Sequence, residues 1–199
     1  MGRRSDHTRA ELRELLLQTG HQLMAQVGYA RFSGREVAKR AGYSVGTIYN
    51  VFESLDGLLA AINTRTFVLW SRHLQKRLET GGEDRIASLV EGYFTFALDN
   101  PQTWSAIYEH RVPEKDSLSE EDLEGRGALT LIVEQEVRTA LPEDTGLDVA
   151  RYARSLIATV HGHCSYVVSG SFALLDETDP VGSALDRVRE SLELHQQRR

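Results

Sequence analysis

Apolar residues fall along most of this chain at intervals of three, four and seven, the period of a helix with one buried face. Between Arg9 and Val27 they stand at Leu12, Leu15, Leu16, Leu23 and Val27, and Gly28 then supplies a stop. Ser33 with Glu36 three residues on reads as a capping box that opens a short helix over Gly34–Ala41. Gly42-Tyr43 makes a tight turn, and Ser44 is suited to cap a second short helix, Val45 to Phe52. Ser54 can cap a fourth, where Leu55, Leu58, Leu59, Ile62, Thr66, Leu69 and His73 keep helical spacing nearly to Glu79, ahead of Gly81-Gly82. At 1.5 Å per residue that helix is roughly 37 Å long, enough to run from one module into the next. Further helices are predicted at Asp84–Asn100, Pro101–His110, Gly127–Leu141, Asp148–Leu174 and Pro180–His195, the last with Asp179 as its cap. The acidic, serine-dotted stretch from Glu114 to Glu124 reads as a loop. Nothing alternates with the period of a strand and nothing repeats, so the expected fold is all-α: an N-terminal three-helix unit, residues 1–53, and a helical body, residues 54–199.

Composition leaves that picture intact. The 199 residues are 41% hydrophobic and 26% charged, with four prolines, as in an ordinary globular protein. One cysteine, Cys164, allows no internal disulfide and fits a reducing, cytoplasmic setting. Charges occupy the first fourteen residues, where a signal peptide needs an apolar stretch, and no apolar run approaches the ~20 residues that span a bilayer. Neither secretion nor a membrane is expected.

Charge does change the picture. The net value of −6 hides a split: residues 1–50 hold eight Lys/Arg against four acids, +4, and the rest hold fifteen against twenty-five, −10. DNA would be attracted to the first segment and repelled by the second. Within that segment, Ser33–Phe52 has the form of a helix-turn-helix, whose second helix can enter a major groove while the first braces it. Val37, Ala38 and Ala41 can pack inward, with Ile48 and Phe52 anchoring the second helix. Val45, Gly46, Thr47, Tyr49 and Asn50 are left facing outward, and with Ser33, Arg35, Tyr43 and Ser44 they form the candidate DNA-binding set. Small residues at the helix start let the backbone approach bases, Thr47 offers a hydroxyl and a methyl, and Tyr49 can reach a phosphate.

From Arg9 to Ile62 the chain resembles the DNA-binding domain of the TetR family of transcriptional regulators, most of all in the run Ala41-Gly42-Tyr43-Ser44-Val45-Gly46-Thr47-Ile48-Tyr49-Asn50-Val51-Phe52. The resemblance implies a homodimeric repressor on a palindromic double-stranded operator, released when a small-molecule effector occupies the C-terminal domain. By position, Arg35 stands where some members place a base-contacting arginine. Val45, Gly46 and Thr47 open the base-facing helix, and Tyr49 matches a tyrosine at the DNA backbone. Val51 and Leu55 depart from the histidine and lysine that many members aim at phosphates. Arg3, Arg4, Arg9 and Lys39 are the candidates for restoring that attraction.

Gly42-Tyr43-Ser44-Val45-Gly46 also satisfies G-x-S-x-G, the nucleophile elbow of α/β-hydrolases. An elbow needs a buried apolar strand before its serine. Glu36-Val37-Ala38-Lys39-Arg40 is polar and helical in pattern, so no enzyme is expected.

In the C-terminal body Ser155, Ala158, Gly162, Ser165 and Ser169 form a stripe of small residues that would let another helix come close, either across a two-fold dimer axis or within the chain. Phe94, Trp104, Tyr108, His161, Cys164 and Tyr166 are the candidate ligand-binding residues, with plain core packing as the alternative. His161 and Cys164, one turn apart, raise a metal-responsive variant. His163 points elsewhere on the helix and no carboxylate stands at ligand spacing, so neither a metal nor any other cofactor is expected. Asn100-Pro101 through Trp104 and Tyr108, with Val160-His161-Gly162, is similar to a C-terminal domain of some TetR-type regulators named for a Trp-His-Gly motif; Val160 stands in place of the tryptophan.

Overall fold

The computed structural model describes residues 7–110, 118–144 and 146–196. Nine α-helices and no strand occur among them: α1 (Arg9–Val27), α2 (Gly34–Ala41), α3 (Val45–Phe52), α4 (Leu55–Thr80), α5 (Arg85–Asp99), α6 (Pro101–Glu109), α7 (Glu120–Ala140), α8 (Val149–Val168) and α9 (Pro180–Gln196). Short 3₁₀ turns follow α1, at Tyr29–Arg31, and α8, at Ser171–Leu174. The all-α expectation is met. Among the described residues no helix is long and apolar enough to cross a membrane.

Two caps are those the sequence calls for: Ser54 Oγ accepts the Gly57 N–H at 2.9 Å, and Asp179 accepts that of Gly182 at 2.9 Å. Asp148, expected as the first residue of its helix, caps it instead and accepts the Arg151 N–H at 3.0 Å. Others are corrections. The capping box lies at Thr8 and Glu11, not at Ser33 and Glu36. The Glu36 carboxylate turns to Arg40 one helical turn on, at 2.9 Å, which takes it away from the Ser33 backbone. Ser44 stands at the start of α3 without capping it, its hydroxyl 3.3 Å from the Thr47 hydroxyl. The part of the acidic stretch from Glu120 onward is helix rather than loop. Ser119 accepts the Asp122 N–H at 3.1 Å, and Glu120, Glu121 and Asp122 set negative charge where the helix dipole favours it. At the far end α8 stops at Val168, six residues early, because Gly170 turns left-handed at φ 74°. Residues 114–117 of the expected acidic loop lie outside the described set.

The helices pack into two units, one from residues 1–66 with 100–123, the other from 67–99 with 124–199. The packing units therefore interleave along the chain, because α6 lies on α1 and puts Ala106 into the same core as Leu16, Leu23, Met24, Val37, Ile48, Leu58 and Ile62. His110, which ends α6 and is 4% exposed, adds a side-chain contact to Asn63 at 3.4 Å. In the second unit α5, α8 and α9 pack on one another around Trp70, Phe94, Leu156, Cys164 and Val188. The Trp70 ring stacks on Phe96 at 5.3 Å and meets Tyr93 edge-on at 4.6 Å. Residue 80 of α4 belongs to the second unit and residue 55 to the first, so one unbroken helix contributes to both.

Candidate nucleic-acid interface and ligand region

The turn between α2 and α3 is fixed by its backbone. Gly42 takes φ 80° and ψ 23°, a left-handed conformation that costs glycine nothing and other residues strain. Its N–H bonds the Lys39 carbonyl at 3.1 Å, and the Tyr43 N–H bonds that of Ala38 at 2.9 Å. That pair of bonds is a Schellman closure, which satisfies the last carbonyls of α2 and sets the direction of α3.

From this turn each side chain follows by helical geometry. Val37, Ala38, Ile48 and Phe52 are buried. Ser44, Val45, Gly46, Tyr49 and Asn50 are exposed, Val45 by 41% and Tyr49 by 53%, so α3 presents the outward row the sequence predicts; Thr47 is half-buried beside it. Arg35 is exposed on α2, and Ser33 precedes it half-buried. Tyr43 is turned partly inward, its hydroxyl buried without a hydrogen-bond partner among the described residues, which sets it apart from the other eight. A buried apolar anchor under a row of exposed small, hydroxyl and amide groups has the shape and chemistry to meet base edges.

Of the positive charges around this row, some are held by partners and others stand exposed. Arg40 is held by Glu36 at 2.9 Å and Gln26 at 2.6 Å. Val51 packs against the core, and the Leu55 side chain lies over Gly34, where an added Cβ would come within 2.9 Å of it. Arg9 and Lys39 are exposed, while Arg3 and Arg4 lie outside the described residues. The G-x-S-x-G reading fails on context, since Ser44 sits between two helices and its hydroxyl meets only that of Thr47 among the bonds of this segment.

The six ligand candidates are not gathered at one place. Trp104 and Tyr108 belong to α6 in the first unit, edge-to-face with each other at 5.2 Å. Phe94, His161, Cys164 and Tyr166 belong to the second. There Phe94 and Cys164 are sealed in the core, and Tyr166, half exposed, leans on Phe172. Burial pushes the Cys164 thiol up to about 12, so it stays protonated. His161 Nδ1 lies 3.0 Å from the Tyr93 hydroxyl, and burial lowers its pKa and favours the neutral ring. Among the described residues no three His, Cys, Asp or Glu side chains come together as a metal site.

The second unit does contain a cavity of about 40 Å³, lined by Leu74 of α4, Ile86, Leu89, Val90 and Tyr93 of α5, Leu129, Val133 and Val137 of α7, Leu156, Ile157 and Val160 of α8, and Val188 of α9. None of the six candidates lines it. The overlooked signal is the spacing of Leu129, Val133 and Val137, an aliphatic stripe indistinguishable in sequence from core.

Two helices set by a left-handed glycine, with an exposed second helix, define a helix-turn-helix protein. The model of bacterial regulatory proteins of the tetR family matches residues 16–62, and that of a tetracyclin repressor-like C-terminal domain matches residues 86–189. The chain belongs to the TetR family, a family of transcriptional regulators and not of enzymes. Uncharacterized HTH-type transcriptional regulators of Mycobacterium tuberculosis and Mycobacterium bovis are 39% identical to it over 61 residues, a match spanning 31% of this chain and 31% of each relative. Two solved structures share its fold. A protein of unknown function from Rhodococcus sp. RHA1 is similar with a TM-score of 0.71 at 23% identity, over 96% of both chains. EbrR, described as a multidrug binding protein and solved with imidazole, is similar with a TM-score of 0.60 at 20% identity, again over 96% of both.

Proposed function

We propose that this chain is a cytoplasmic, homodimeric repressor whose two α3 helices read the halves of a palindromic operator, and which releases DNA when a small molecule enters its C-terminal body. The observation that carries this reading is the exposed row Ser44, Val45, Gly46, Tyr49 and Asn50 on a helix anchored by Ile48 and Phe52. Its roles divide at residues 53 and 54, with DNA contact before and sensing and dimerisation after. The +4 charge of residues 1–50 against −10 for the rest supports the same orientation on a polyanion.

For the dimer, the support is that Ser155, Ala158 and Gly162 are exposed on α8 and Ser169 just past its end, and that a Cβ on Gly162 would meet nothing within 4 Å. A second copy of α8 can approach such a face closely and isologously. For the effector, support comes from the apolar cavity and from the description of EbrR as multidrug-binding.

Fluorescence anisotropy with palindromic fragments from upstream of the chain's own gene tests the proposal. Saturable binding is expected, weakened about tenfold or more by Thr47→Ala or Tyr49→Ala. Equal affinity for those variants and the wild type, or no fragment bound above arbitrary DNA, would refute it.

A further inference from the structure

We infer that the cavity lined by α4, α5, α7, α8 and α9 is a binding site for a small, uncharged, apolar molecule carrying at most one hydrogen-bonding group, which meets the Tyr93–His161 pair. The inference rests on the reading above that the body senses a ligand, and it adds the chemistry of that ligand. Five helices contribute side chains to the lining, and not one of them is charged. Eleven of the twelve are aliphatic. A carboxylate or ammonium placed here would lose its water and find no counter-charge, whereas an uncharged apolar group loses nothing by leaving water.

One polar handle stands on this wall. The Tyr93 hydroxyl, on a side chain 4% exposed, meets His161 Nδ1 at 3.0 Å, and burial keeps the imidazole neutral. The pair can give or take one hydrogen bond, by rotation of the hydroxyl or choice of ring tautomer, and it offers a ligand no net charge.

Size narrows the class further. Protein interiors leave few gaps larger than a water, and 40 Å³ holds only a few atoms, well below the roughly 300 Å³ at which drug-sized sites begin. The ligand is therefore small, of one ring or a short chain, and a ring enters only as the wall gives way. Ile86, Val133 and Ile157 are the half-buried members of the lining and come from three different helices, so the wall yields on their side. Other members of the lining, among them Leu74, Val90, Val137 and Val188, are buried.

Isothermal titration of the full chain with toluene and p-cresol, against benzoate and benzylammonium of nearly the same shape, tests this class. The two uncharged probes are expected to bind saturably, with each ion at least about tenfold weaker for want of a partner to its charge. Val160→Phe, which fills the space, should abolish binding of both. Tyr93→Phe, a milder change, should keep toluene and remove any preference for p-cresol, and it serves alone if the filled variant does not fold. Ions binding as tightly as the neutral probes, no binding of any probe, or a folded Val160→Phe chain that still binds toluene would overturn the inference. Operator affinity measured beside each titration separates the two readings. If the probes bind and DNA is retained, the site stands and ligand release falls; if only a charged compound releases DNA, release stands and this site falls.

Discussion

Acid should loosen the first unit through a single ring. His21 lies on α1 with Nε2 3.3 Å from the Thr66 hydroxyl of α4, and Thr66 in turn donates to the Ile62 carbonyl at 3.1 Å. Burial, with a smaller push from the Arg65 guanidinium, lowers its pKa from 6.5 to about 4. Above pH 6.5 the ring is neutral folded and unfolded alike and contributes nothing to pH dependence. As pH falls below 6.5 the unfolded chain binds a proton that the folded chain refuses, so stability declines, levelling off below about pH 4. At 1.36 kcal/mol per unit the ceiling is about 3 kcal/mol, which solvent reaching a half-buried ring trims to about 2. Glutamine at this position cannot titrate and can still bond the Thr66 hydroxyl. Urea unfolding followed by far-UV circular dichroism, for wild type and His21→Gln at about pH 7.5 and about pH 4.5, isolates the difference. The wild type should lose about 2 kcal/mol more than the variant across that interval. Equal losses in both proteins would refute the reasoning, because burial would then not be holding the ring neutral.

Gly57→Ala should destabilise by more than about 2 kcal/mol in urea unfolding, since its Cβ would fall 2.1 Å from the Phe52 carbonyl oxygen, a backbone atom with little room to retreat. Gly42→Ala has open space and meets only the left-handed backbone, so about 1 to 2 kcal/mol is expected, and Gly42→Asn should recover much of it. Cys164, buried and held protonated, should react with a thiol reagent at neutral pH only at the rate of unfolding; rapid labelling of the folded chain would contradict its burial. Replacing Arg35 with alanine should shallow the dependence of log affinity on log salt by about one if it meets a phosphate, and leave that slope unchanged if it reads only a base.

Helices were legible here because period and punctuation agree, as at α1 between its apolar face and Gly28 and at α4 between Ser54 and Gly81. Exposure along α3 was legible for the same reason, since burying Ile48 and Phe52 forces Tyr49 and Asn50 outward. What failed was decided by competition between side chains. Glu36 could serve Ser33 or Arg40, and its spacing to both is helical; the guanidinium won. Glu120 to Asp122 look like a solvated loop until Ser119 caps them. The division of the ligand candidates between two units has a deeper reason. Aromatic residues mark good core as readily as a binding wall, and nothing in the order of residues told that Trp104 would pack in a different unit from Phe94. The lining that does enclose space is aliphatic, and aliphatic residues at helical spacing carry no label for the gap between them.

The packing of Leu55 over Gly34 and of Val51 against the core bears on how such a regulator would search a chromosome. Grip on arbitrary sequence comes almost wholly from cations that displace counterions, and every aliphatic residue in their place shortens the stay at each irrelevant site. Under the proposed mode of binding, such a protein would be a light sampler: little of its population would be held on decoys, and its residence at a true target would depend on how well the tip of α3 fits the bases there.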